Sequence, residues 1–171
     1  MIASHDPAEA NAPPGFHPIR HGENFNSHAG PFFYRVTKDS FVTGFRIMAH
    51  HLNPVGMIHG GMSVVFADMS LGLGLAINCD VPIFTPTVNL TADFLSGGKL
   101  NAWVESDVKV IRRTRSMLFG ETLLTADGTP FLRCSGVMKV PNRNAMAFDY
   151  GELFPELKMA GYVPEYAAPA N

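Results

Sequence analysis

The residues best suited to chemistry lie close together, in "GMIHGGMSVVFADMS" at positions 56–70. Here His59-Gly60-Gly61 opens a run that turns almost wholly apolar, with one carboxylate, Asp68, in its middle. A buried ionised carboxylate costs several kcal/mol unless it is paired, hydrogen-bonded or wet. Asp68 therefore either reaches a solvent edge, accepts hydrogen bonds from a neighbouring strand, or faces a substrate. The two glycines sit where a helix begins, with unpaired N–H groups and the positive end of the helix dipole. They could form a tight loop-to-helix corner. They could equally form an oxyanion hole, since a backbone without Cβ atoms admits a ligand closely and its N–H groups can meet charge developing on a carbonyl oxygen.

Spacing constrains how the two parts could cooperate. Asp68 follows Gly61 by seven residues, roughly 10 Å at about 1.5 Å of rise per residue. A base that activates water must come within about 3 Å of that water. One helix does not readily bring both groups to one carbonyl. Two helices side by side in opposite directions do, which predicts a site shared across a two-fold dimer.

The elements that must position these residues can be read from period and punctuation. Pro54 and Gly56 break the chain before a helix that starts near Gly60. From Met62 to Ile77 the apolar residues occur on every side, as expected for a buried helix. This run has the length of a core helix rather than a membrane span, and Asp68 weighs further against a span. "PFFYRVT" and "FVTGFRIMAHH" read as a strand pair. "TVNLTADFL", "NAWVESDVKVIRR", "SMLFGETLLTA" and "FLRCSGVMKV" read as four strands of one meander, separated by Ser96-Gly97-Gly98, Arg113-Thr114-Arg115 and Asp127-Gly128-Thr129. In the second of these, Ala102, Val104, Ser106, Val108 and Val110 share one face, leaving Trp103, Glu105, Asp107 and Lys109 toward water or a partner. The expected fold is α+β, one antiparallel sheet curled around one long helix. Residues 1–30 read as an extended arm, 31–141 as the domain, and 142–171 as a surface tail.

Composition removes several classes of function. The 171 residues carry a formal charge of -2, which leaves no basic face for nucleic acid. Two cysteines, Cys79 and Cys134, lack redox or zinc spacing and fit a reducing compartment. The first residues, "MIASHDPAEANAPPGF", lack the basic start and apolar run of a secretory signal, so a cytoplasmic protein without membrane contact is expected. His50, His51 and His59 could be imagined around a metal, but consecutive histidines in a strand point to opposite faces, so no metal site is expected. No serine nucleophile elbow and no phosphate-cradling glycine loop follow a strand.

"NPVGMIHGGMSVVFADMSLGLGLAI", "TPTVNLTADFLSGG" and "VKVIRRTRSMLFGETLLTADGTPFLRCSGVMKV" together resemble the hotdog-fold acyl-CoA thioesterases of the phenylacetate-pathway type, over about Asn53 to Val140. The resemblance implies a hotdog fold and hydrolysis of an acyl- or aryl-acyl-CoA, with coenzyme A entering as part of the substrate and no separate cofactor. It implies that Gly60, flanked by Gly61, donates its N–H to the thioester oxygen. His59 and Asn53 would orient the thioester and its loop. Asp68 of the partner subunit would act as general base or as a nucleophile. Thr87 stands where many relatives carry a serine that holds the water; it keeps the hydroxyl but adds a stiff β-methyl. Arg112, Arg113, Arg115 and the adjacent Ser116 would meet the phosphates or pantetheine of coenzyme A. A homodimer, paired further into a tetramer, is the implied assembly. A non-catalytic acyl-CoA binding module of the same fold is the alternative reading.

Overall fold

The computed structural model describes residues 6–81, 84–141 and 150–163. The beginning of the arm and most of the tail assigned from sequence lie outside these residues. A seven-stranded, wholly antiparallel sheet forms the body of the fold, from β1 (His17–Pro18), β2 (Phe33–Val36), β3 (Phe41–Arg46), β4 (Thr87–Phe94), β5 (Trp103–Arg113), β6 (Met117–Ala126) and β7 (Thr129–Lys139). Spatially the order is β1-β2-β3-β5-β6-β7-β4. Four helices complete it: α1 (Phe25–Ala29), the long α2 (Gly60–Asn78), α3 (Tyr150–Leu153) and α4 (Glu156–Met159).

The α2 helix packs against the sheet because its buried stripe, including Phe66, Ala67, Leu71 and Leu75, recurs at helical steps. Glycines let it approach closely. A Cβ on Gly74 would stand 2.7 Å from Val108 Cβ, and one on Gly120 2.5 Å from Leu75 Cδ2. The buried hydroxyls in the layer are satisfied: Thr43 and Ser70 are 2.7 Å apart, Ser106 and Thr122 2.8 Å apart. The helix runs to 19 residues with a mean hydropathy of 1.5, long and apolar enough by composition to cross a membrane. Length alone therefore does not argue against a span, as expected from the shorter Met62–Ile77 run. Packing of Phe66, Leu71 and Leu75 into the sheet accounts for this apolar surface.

Three features depart from the sequence reading. The four later strands are not one meander: β5, β6 and β7 are, but β4 pairs with β7, Thr87 opposite Met138 and Phe94 opposite Leu132. The other edge of β5 is taken by β3, Val42 opposite Asp107. Residues 95–102 cross between the two sites, tied to Phe131 O by Leu95 N at 2.9 Å and to the loop before α2 by Ile58 N donating to Gly98 O at 2.9 Å. Alternation identifies a strand but not its partner. Second, His50 and His51 lie in a 3-10 turn (Ala49–His51) rather than in a strand, and both imidazoles contact main-chain carbonyls, His50 Nε2 that of Gly30 at 3.0 Å and His51 Nε2 that of Ala29 at 2.8 Å.

Third, the outer face of β5 is covered at its Trp103 end, while Asp107 and Lys109 are exposed as the alternation predicts. Trp103 is only 6% exposed, packed edge-on against Phe16 at 4.9 Å and beside Phe33 at 5.7 Å between ring centroids. Arg46 holds this chain in place through hydrogen bonds to the carbonyls of Ala10 and Asn11 at 3.1 and 2.6 Å. At the opposite end of the chain, Leu153 and Phe154 enter the main core, with the Phe154 ring edge-on to Tyr34 at 4.8 Å. Both stretches bury aromatic side chains that no spacing rule could assign to a partner.

Candidate active site

The loop before α2 is fixed before the helix begins. Asn53 Oδ1 accepts from the N–H groups of Val55 and Met57, each at 3.1 Å, while Asn53 N donates to Met57 O at 2.8 Å. These bonds close the Pro54–Gly56 turn, so the Asn53 side chain shapes the loop. His51 secures the far side: its Nδ1 accepts from Met48 N at 3.0 Å, and its carbonyl accepts from His59 N at 2.8 Å. His51 is a supporting residue that sequence reasoning missed; its place beside a second histidine suggested a strand and a metal test, not a buried anchor.

His59 caps the helix. Its Nδ1 accepts from Gly61 N at 2.9 Å, and its carbonyl accepts from Met62 N at 2.9 Å and Ser63 N at 3.2 Å. The amide of Gly61 is therefore committed to the imidazole. That of Gly60 is left without a partner among the described residues, at the positive end of a 19-residue helix. Any side chain at this position would crowd the Phe94 ring, since a Cβ on Gly60 would lie 3.1 Å from Phe94 Cε1. Of the first-turn amides, only that of Gly60 has no acceptor among the described residues.

Asp68 is half-buried on α2, eight residues beyond Gly60, about 12 Å along the axis. Its Oδ1 accepts a 2.7 Å hydrogen bond from Thr87 Oγ1 at the start of β4. The hydroxyl of Thr87 thus serves the acid, and the β-methyl does not prevent it. Both residues line a cavity of about 290 Å³. Burial first, then the carboxylates of Asp68 and Asp93, push the nearby Cys134 thiol up to about 11, which favours its protonated form near neutrality.

The arginines lie at the other end of α2. Arg113 Nη1 donates to Cys79 O at 2.6 Å, capping the helix C-terminus. Arg112, Arg115 and Ser116 are exposed on the hairpin between β5 and β6. Within one chain the structure brings Asp68 to Thr87 and His59 to Gly60 and Gly61; it does not bring the arginines to either pair.

The family model of the Thioesterase superfamily matches residues 55–130, the stretch that holds His59, Gly60, Asp68 and Thr87. The Pseudomonas aeruginosa protein named "Putative esterase PA0474" is 30% identical over 132 residues, covering 77% of this chain and 98% of that protein. This chain belongs to the thioesterase superfamily. Solved structures at lower identity share its hotdog fold. A hypothetical thioesterase from Streptococcus pneumoniae, solved with coenzyme A, superposes with a TM-score of 0.58 at 18% identity, covering 65% of this chain and 86% of that one. A single-residue variant of the phenylacetic acid degradation protein PaaI from Thermus thermophilus gives a TM-score of 0.59 at 19% identity, covering 68% and 98%. The protein is a thioester hydrolase built on this fold. In this thioesterase the residues of the first turn of α2 and of the Asp68–Thr87 pair fall inside the matched span, whereas much of the cavity beside Asp68 is walled by chain outside it.

Proposed function

We propose that this thioesterase hydrolyses an acyl- or aryl-acyl-CoA to the free acid and coenzyme A, at a site assembled from two subunits. The Gly60 amide of one protomer receives the thioester oxygen, and Asp68 of the other, held by Thr87, takes a proton from the attacking water. The tetrahedral intermediate then collapses with departure of the coenzyme A sulfur. Coenzyme A enters as part of the substrate, and no separate cofactor takes part.

The observation that carries this reading is the pair of half-sites about 12 Å apart on one helix: a Gly60 amide without a partner among the described residues and a hydrogen-bonded Asp68. Neither half suffices for hydrolysis, and a second antiparallel copy of α2 supplies the missing one to each. The free edge of β4 supports such a dimer. It exposes Val88, Phe94 and the following Leu95, each more than half exposed, along an edge that no described strand pairs and that invites another strand. Arg112 and Arg115, on the hairpin at the opposite end of α2 from Gly60, would meet the phosphates of coenzyme A. Replacement of Asp68 tests the chemistry directly. Asp68→Asn keeps the shape and the hydrogen bond from Thr87 but removes the base, and kcat on any active CoA thioester should fall about 10²–10⁴-fold. Wild-type turnover by the variant would refute the assignment.

A further inference from the structure

The cavity beside Asp68 has one wall from α2 and one from elsewhere. Val65, Asp68, Met69, Gly72 and Leu73 contribute the first, at the three- and four-residue steps of a single helix face. Ile19, His21, Phe25 and Asn26, from the chain before β2, contribute to the second together with Tyr150 and Leu153 of α3. All six lie outside the residues 55–130 that match the family. Among the described residues Asp68 is the one carboxylic acid in the lining, and no described lysine or arginine lines it. Burial lowers His21 to about 4 and raises the Tyr150 phenol, so both are uncharged near neutrality. An anionic acyl group would find no cationic partner among the described lining residues.

Size sets the other limit. An apolar cavity of roughly 150 Å³ takes up benzene. At about 290 Å³ the present one has room for a ring and a short linker, or an acyl chain of similar bulk; a long fatty acyl chain would have to extend out of it. Resting on the thioesterase reading above, we infer that this cavity is the acyl pocket, that it selects a compact uncharged acyl group, and that Phe25, Tyr150 and Leu153 set its limit. Selectivity thus comes from the two chain ends, while the chemistry comes from the stretch common to the family.

Gly72 supplies a test that spares the fold. A Cβ there would meet nothing within 4 Å and Gly72 lines the cavity, so Gly72→Ala adds bulk without pressing on a neighbour and Gly72→Leu extends the same change. Phe25 is 65% exposed and can be shortened without opening the core. The full-length protein and these variants are assayed for kcat/KM on acetyl-, octanoyl-, phenylacetyl-, succinyl- and palmitoyl-CoA, with circular dichroism as the check on folding. The wild type should favour octanoyl- or phenylacetyl-CoA over succinyl- and palmitoyl-CoA by at least about tenfold, the discrimination that small misfits in apolar pockets provide. Gly72→Leu should lower the phenylacetyl-to-acetyl ratio about tenfold or more, Gly72→Ala should lower it less, and Phe25→Ala should raise the palmitoyl-to-octanoyl ratio. Preference for palmitoyl- or succinyl-CoA, or ratios unmoved in folded variants, would overturn the pocket assignment. Absence of hydrolysis across the whole panel by the wild type would instead overturn the thioesterase reading on which it rests. Should Gly72→Leu fail to fold, the ratios of Gly72→Ala and Phe25→Ala decide.

Discussion

A shared site makes a prediction that neither single variant can test alone. Gly60→Pro removes one N–H and little else. Gly60 is the first helical residue, where proline's fixed φ suits the helix and its missing donor costs no internal bond. His59, which would precede the proline, already has φ -66 and ψ 131, the extended geometry that a following proline requires. The new Cβ presses on Phe94 at 3.1 Å, an exposed ring that can shift. Loss of one oxyanion donor is worth about 2.7–4 kcal/mol, or about 10²–10³ in kcat, and Asp68→Asn a comparable loss. Each homodimer should therefore be nearly inactive. If they are mixed, dissociated and reassociated, about half of the dimers are mixed pairs, and each mixed pair holds one intact site made of Gly60 from one chain and Asp68 from the other. Activity on a CoA thioester should return to about a quarter of wild type. A site contained within one chain leaves no intact pair in any combination. Heterodimers verified by native mass spectrometry that remain inactive would refute the shared site, and a fully active Gly60→Pro would refute the oxyanion role.

Three further outcomes follow from individual contacts. Thr87→Val removes the 2.7 Å hydrogen bond to Asp68 and should lower kcat about tenfold, since a bond to a carboxylate is worth about 1.5 kcal/mol or more; Thr87→Ser should recover most of the rate, and an unchanged kcat in the valine variant would show that the hydroxyl does not position the acid. Arg113→Gln loses the cap on Cys79 O and should cost about 1 kcal/mol, a fall of about 2–4 °C in Tm by calorimetry, whereas Arg112→Ala and Arg115→Ala should raise KM for the CoA thioester with little change in Tm. Burial holds His21 at about 4, below the 6.5 of an unfolded histidine, so between those values the unfolded chain binds a proton that the folded chain refuses. The stability conferred by the neutral ring is whole above about pH 6.5 and is lost as the pH falls toward 4, by about 3 kcal/mol in all. Urea unfolding of wild type and His21→Gln across this range should show the difference between them shifting against the wild type by that amount, and a constant difference would contradict it.

What could be read from sequence and what could not divides by chain separation. Asn53, His59, Gly60, Asp68 and Thr87 lie in one continuous stretch, so their placement depends on local geometry: a turn closed by an asparagine, a helix start free of Cβ atoms, an acid at a fixed rise along the same axis; the roles proposed for Asn53, His59 and Thr87 come from the family resemblance. Hydrophobic period was enough to place α2 and the β5–β7 hairpins. The pairing of β4 was not legible, because Thr87–Phe94 alternates as well for an edge beside β7 as for one beside β5, and the choice is made by the 95–102 crossing. Trp103 shows the same limit on a smaller scale. Alternation correctly set it opposite Val104, but its burial depends on Phe16, 87 residues earlier in the chain.

The cavity wall lies furthest beyond local inference. His21, Phe25 and Tyr150 stand in segments without period, and they acquire a function only because Phe154 packs on Tyr34 and Arg46 ties down the carbonyls of Ala10 and Asn11. Hydrolysis requires a small number of atoms in fixed relation to one backbone turn, which a short motif can encode. Discrimination among acyl groups requires only that some side chain occupy the end of the cavity, and many sequences meet that condition equally well. Variation in the two chain ends can therefore change which thioester is accepted while Gly60, Asp68 and Thr87 stay in place, provided the replacements still seal the core that Leu153 and Phe154 close.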